Sequence, residues 1–141
     1  MRRLLIAIAV GIVSSYVALG LPLQTADPKA TEAYQLLVLR KIAVAADLVD
    51  LTTRYSGNSQ LVQSKRLELE IITREIDRLL NVDSALAPKL SANYGRLLLK
   101  KVDLEVELSI LKRIFTAHHP RVRQTRVRID LLDGEIEAML R

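Results

Sequence analysis

The chain has 141 residues, enough for one domain, and half of them are hydrophobic while aromatics make up only 4%. With five glycines and four prolines, that composition belongs to long helices and argues against a β-sandwich or barrel. The formal net charge is +5 and there is no cysteine, which excludes disulfides, thiolate metal sites and a cysteine nucleophile.

The first predicted element is Met1 to Gly20. A basic start, Met1-Arg2-Arg3, precedes an apolar run from Leu4 to Val13 and a region of small residues ending Ala18-Leu19-Gly20. That pattern predicts a secretory signal cut after Gly20. The alternative is an uncleaved inner-membrane anchor over residues 4–21, a stretch without a charge and long enough to span a bilayer. Both place the remainder outside the cytoplasm, periplasmic or secreted, because the arginines stay inside.

Residues 21–27 read as a linker. Asp27-Pro28 then predicts a helix start, with Asp as cap and Pro in the first turn. An apolar seam runs through Ala30, Tyr34, Leu37, Lys41, Val44, Leu48, Leu51 and Tyr55, with steps of four and three. Ser56-Gly57-Asn58-Ser59 breaks it; Gly57 is expected in the left-handed conformation and Ser59 as the next cap. The second helix carries Val62, Leu69, Ile72, Ile76 and Leu79 and ends near Asn81.

After a connector at 82–87 the pattern returns. Residues 28–80 align without a gap on 88–140, with 13 identities in 53 positions, among them Pro28/Pro88, Tyr34/Tyr94, Lys41/Lys101, Arg66/Arg126 and Glu75/Glu135. A fixed-period repeat defines the folding unit. The third helix repeats the seam from Leu90 to Phe115, Ala117-His118-His119 replaces the first break, and Pro120 opens the fourth helix. Short breaks predict antiparallel hairpins. The fold class is therefore all-α: two tandem αα-hairpins, residues 28–81 and 88–141, forming a four-helix bundle or an elongated coiled coil. A second apolar stripe beside the seam (Val102, Val106, Ile110, Ile114, and more weakly Ile42, Ala45, Ala46, Val49) predicts that the hairpins meet through the first and third helices, or pair between chains in a homo-oligomer.

Lys41 and Lys101 interrupt the seams. With the turns centred between Asn58 and Ser59 and between His118 and His119, Lys41 falls beside Glu75 and Lys101 beside Glu135. Two register-fixing pairs are expected, Lys41–Glu75 and Lys101–Glu135.

Motifs for chemistry are missing. The sequence has no glycine-rich phosphate loop, and its two histidines stand together at a turn. One is expected to cap the fourth helix and the other to be solvated. No catalytic, cofactor-binding or metal site is expected, and the chain reads as a non-enzyme. One segment is chemically distinctive. Lys112, Arg113, Arg121, Arg123, Arg126 and Arg128, with His118 and His119, fall between Glu107 and Asp130 without an acid among them. If the chain reverses at 118–119, these gather at one hairpin tip, a candidate contact for acidic polysaccharide, anionic lipid headgroups or an acidic face of an envelope protein. Nucleic acid is disfavoured by the secretory start and the lack of interleaved aromatics.

Phe115-Thr116-Ala117-His118-His119-Pro120-Arg121-Val122, followed by Ile129, Leu132, Glu135 and Ile136, resembles the periplasmic helical region of bacterial polysaccharide chain-length determinant and exopolysaccharide transport proteins. The resemblance covers Leu97 to Leu140. It implies a relative of the helical stalk; the second transmembrane helix and the α/β base of that family have no counterpart in this sequence. The reading is thus a non-enzymatic extracytoplasmic interaction or scaffold protein with a basic tip, in an exopolysaccharide setting. The alternative is a small periplasmic chaperone-like or sensor protein that binds clients on an apolar helical face, although Leu51-Thr52-Thr53-Arg54-Tyr55 lacks the glutamine of the stress-response chaperones.

Overall fold

A computed structural model describes residues 27–141. A 3-10 turn, Pro28–Ala30, leads into α1 (Glu32–Arg54) and α2 (Gln60–Leu80). A second 3-10 segment, Ser84–Lys89, leads into α3 (Ala92–Ile114) and α4 (Pro120–Leu140). The long helices begin and end 60 residues apart in the two halves, and their lengths match at 23 and 21 residues.

The local causes repeat as well. Thr31 and Ser91 cap α1 and α3 by accepting from the backbone N–H of Tyr34 and Tyr94. The helices therefore start four residues later than Asp27-Pro28 and its copy suggested; Asp27 caps the 3-10 turn instead, accepting from Lys29 N at 2.9 Å. α1 and α3 end at Tyr55 and Phe115 in extended backbone, with φ near −125° in each. Ser59 and His119 then open α2 and α4, each donating its backbone N–H back to Ser56 or Thr116. The expected left-handed Gly57 is not found: no glycine among the described residues has positive φ. The extended residue at 55 already takes the chain out of the helix, so the turn needs no left-handed step.

α3 is the central helix. It packs on α1, α2 and α4, whereas α4 packs along α3 and the Ser84–Lys89 segment. α1 and α3 run parallel, as the pairs Glu32–Ala92, Ala33–Gly95 and Arg40–Asp103 show by rising together. The four helices form an open bundle in which the second hairpin is stacked beside the first, and both turns lie at the same pole. The core joins Leu37 and Val44 of α1, Ile71, Ile72, Ile76 and Leu79 of α2, and Tyr94, Leu98 and Val102 of α3. α2 lies between α1 and α3 and buries two neighbouring rows; α4, with one partner, buries a single row of Val122, Thr125, Ile129 and Ile136.

The two extra apolar stripes are not the two sides of one interface. Val102 packs against the first hairpin, while its counterpart Ile42, with Leu39 and Val49, faces outward. Stacking by translation uses opposite faces of equivalent helices, so one stripe is covered at Val102 and bare only at its far end, Ile114, while the other is left open.

The register pairs also differ from expectation. Lys101 crosses to α4, but to Asp133 at 2.5 Å, and Glu135 is exposed. Lys41 makes no ion pair among the described residues, and Glu75 takes Arg78 at 2.7 Å. The helix ends, Arg54/Gln60 and Ile114/Pro120, place the turn centres at Gly57 and Ala117. Level partners then become Thr73 for Lys41 and Asp133 for Lys101. The extended turn residues do not advance along the helix axis at the helical rise, which is why counting from the turn's later residues overshoots.

Candidate functional site

Both hairpin turns and the flanking helix ends form one pole. Lys112 and Arg113 occupy the last turn of α3, Arg121 and Arg123 the first turns of α4, and all are exposed, as are Arg126, Arg128 and His118. None of the six Lys and Arg groups lies within ion-pairing distance of a carboxylate among the described residues, and residues 1–26 contain no acid. Cations of the first hairpin at this pole are mostly engaged. Arg54 holds Asp50 at 2.8 Å, and Lys65 holds Asp47 at 3.2 Å and Glu68 at 3.0 Å. Burial alone would lower the Lys65 pKa, but its hydrogen bonds to Glu68 and Asp47 outweigh that and raise it.

Helix electrostatics separates the free cations. Lys112 and Arg113 suit a helix C-terminus, where the dipole favours positive charge; Arg113 also donates to Gln63 Oε1 at 3.0 Å, tying the hairpins together. Arg121 and Arg123 sit where the dipole disfavours cations, and α4 has no acid in its first turn. Stability explains the first two and not the second two.

The four α4 arginines lie in the helix's first turns at this pole but do not share one face. At 100° per residue, Arg121 and Arg128 share one face and Arg123 and Arg126 the opposite one. Arg121 and Arg128 line a hollow of about 280 Å³ between α3 and α4 with Gln124, Thr125, Leu111 and Glu107. Thr125 Oγ1 donates to the Glu107 carboxylate at 3.4 Å, which gives the hollow one acid.

His119 caps α4, its Nδ1 accepting from Arg121 N at 3.2 Å, and its ring stacks on Phe115 with centroids 3.9 Å apart. His118 is solvated. Among the described residues, no group of three or more His, Cys, Asp or Glu is placed to hold a metal ion.

Of the four residues expected to fix register, Lys101 and Glu75 come together across the hairpins. They line a small cavity of about 150 Å³ with Tyr94, Leu98 and Ile136. Burial, aided by the nearby Glu75 charge, raises the Tyr94 pKa. Sequence reasoning missed Arg40, which reaches Glu68 at 2.6 Å and Asp103 at 3.5 Å, and the Arg74–Glu105 pair between α2 and α3. It also passed over Gly95, a glycine in the first turn of α3. A Cβ there would lie 2.8 Å from Ala33 Cα.

No protein-family model, curated protein or solved structure matches this chain. No helix among the described residues is long and apolar enough to cross a membrane, and the predicted signal (1–20) or anchor (4–21) lies outside them.

Proposed function

We propose that this chain is a non-enzymatic helical interaction protein of the cell envelope whose basic pole binds an acidic polysaccharide. One observation carries the reading: six Lys and Arg side chains gather at one end with no carboxylate partner among the described residues, while seven of the thirteen other described cations are ion-paired. Two of them, Arg121 and Arg123, occupy a helix N-terminus that is already positive, where they serve folding poorly. The hollow beside Arg121 and Arg128 offers two cations and the Gln124 amide, with its one acid, Glu107, held by the buried Thr125 hydroxyl, a set suited to a sugar bearing carboxylates. The extracytoplasmic setting follows the signal-like start, and the exopolysaccharide context follows the resemblance of residues 97–140.

The test is titration of the full chain with alginate, a polymeric uronate, at rising salt. Affinity is expected to fall steeply with ionic strength. Replacing Arg121 and Arg128 together by Gln should weaken binding about tenfold or more, roughly 1.4 kcal/mol per decade. Binding that ignores both salt and these substitutions overturns the reading.

The chaperone-like reading has its own support in the outward stripe of Leu39, Ile42 and Val49. It expects suppression of client aggregation that survives high salt and is lost on Ile42→Glu.

A further inference from the structure

The stacked repeat supplies its own template for a second contact. Within the chain, α3 lies in a groove between α1 and α2. The groove is built from Arg40, Val44, Glu68, Ile71, Ile72 and Glu75, and Ile71 is 3% exposed beneath α3. Sixty residues on, their counterparts are Lys100, Leu104, Arg128, Leu131, Leu132 and Glu135. These same six line a hollow of about 380 Å³ between α3 and α4, and there Leu131 is 66% exposed. The second hairpin thus carries an unfilled version of the groove that the first hairpin fills.

The matching insert is also present, with Leu39 and Ile42 exposed and Val38 partly packed on the chain's own core. The α3 face that enters the groove includes Leu98, Leu99 and Val102, the last 1% exposed. Its α1 counterpart is Val38, Leu39 and Ile42, with Ile42 61% exposed and Val49 bare a few residues further along. Terminal units of a stacked repeat usually carry a polar outer face; here each outer face keeps exposed apolar side chains, Leu39, Ile42 and Val49 on one and Leu131 on the other.

We propose that the chain associates head to tail with a second copy of itself, α1 of one molecule entering the α3/α4 groove of the next. Such a contact is heterologous, so it extends into a filament or closes into a ring. Its side chains differ from the template in a consistent direction. The Arg74–Glu105 bridge becomes Gly134 opposite Ala45, and Arg40–Asp103 becomes Lys100 opposite Ala43. A Cβ at Gly134 would meet nothing within 4 Å, which leaves room for a neighbouring helix. Lys100 and Arg128 stand where Arg40 and Glu68 pair in the template, so the contact is apolar along Leu104, Leu131 and Leu132 with two like charges at its edge, and salt that screens them should not dissolve it. The proposal does not rest on the anion-binding reading, and its test contains no polyanion.

The full chain, dispersed in mild detergent, is examined by sedimentation over a range of concentrations. Wild type is expected to form concentration-dependent oligomers. Ile42→Glu disables the insert and Leu131→Glu the groove; each variant alone should sediment as a monomer, and an equimolar mixture should form a dimer and nothing larger. Both sites are exposed, so folding is preserved, and helicity by circular dichroism checks this. A second measurement uses the lack of native cysteine. In the template, a Cβ at Gly95 stands 3.4 Å from Ala33 Cβ, close to disulfide spacing. The intermolecular counterparts are Gln35 and Asn93, both on the surface. A Gln35→Cys/Asn93→Cys chain should oxidise to a ladder of dimers, trimers and longer species. A wild type that stays monomeric, mixed variants that stay monomeric, or no ladder overturns the proposal. The first of these outcomes would leave the groove to residues 4–21 of the same chain or to an acidic helix of another protein.

Discussion

Lys101 Nζ lies 2.5 Å from Asp133 Oδ1, while its counterpart Lys41 has Thr73 at the corresponding place on α2. The same buried-edge position is thus paired in one hairpin and solitary in the other. Asp133→Asn should cost about 1–2 kcal/mol, between the ranges for exposed and buried pairs. Thr73→Asp should supply the missing partner and gain up to about 1 kcal/mol. Urea unfolding of both variants checks the register directly, since Ile76→Asp, at the level reached by counting from the turn, should only destabilise.

Two glycines should respond to alanine with opposite signs. Gly95→Ala forces a methyl against the Ala33 backbone at 2.8 Å and should destabilise by about 1–3 kcal/mol. Gly134→Ala meets open space on a helix and should stabilise by about 0.4–1 kcal/mol. Denaturation at low protein concentration separates them.

Alkaline pH should weaken the fold. Lys65 and Tyr94 both have raised pKa values in the folded chain. A raised group contributes its stability in full below its unfolded pKa and loses it as pH climbs through the folded one. Stability should therefore hold through neutral pH and decline above about pH 10. Tyr94→Phe removes one of the two contributions and should flatten that decline, read as the pH dependence of the urea midpoint.

Replacing His119 by Ala removes the α4 cap and the Phe115 stack together. A loss of about 1 kcal/mol is expected, and His119→Ser, the residue at the equivalent site of the first turn, should recover most of it. Comparing the two thermal midpoints isolates the cap from the stacking.

The repeat, the four helices, the Ser59 cap and a histidine cap on α4 were legible because each rests on local signals: period, helix breakers and cap residues. The pairs Arg40–Glu68 and Arg74–Glu105 were not, since they depend on which helices become neighbours. Lys41–Glu75 failed for a local reason, the position of the turn centre, and Glu75 instead shares a cavity with Lys101 across hairpins. At the basic pole the sequence located the cations, but the 100° step between residues decided that Arg121 keeps company with Arg128 and not with Arg123.

The parallel run of α1 and α3 fixes a direction for the whole molecule. Asp27 and Arg141 stand at the pole opposite the two turns, separated from them by the length of α1, whose 23 residues span about 35 Å. Any tether ahead of Asp27 would act as a pedestal, aiming the arginines outward. Held upright, they would stand beyond the reach of the headgroups at their own base and would meet only what extends toward them from outside.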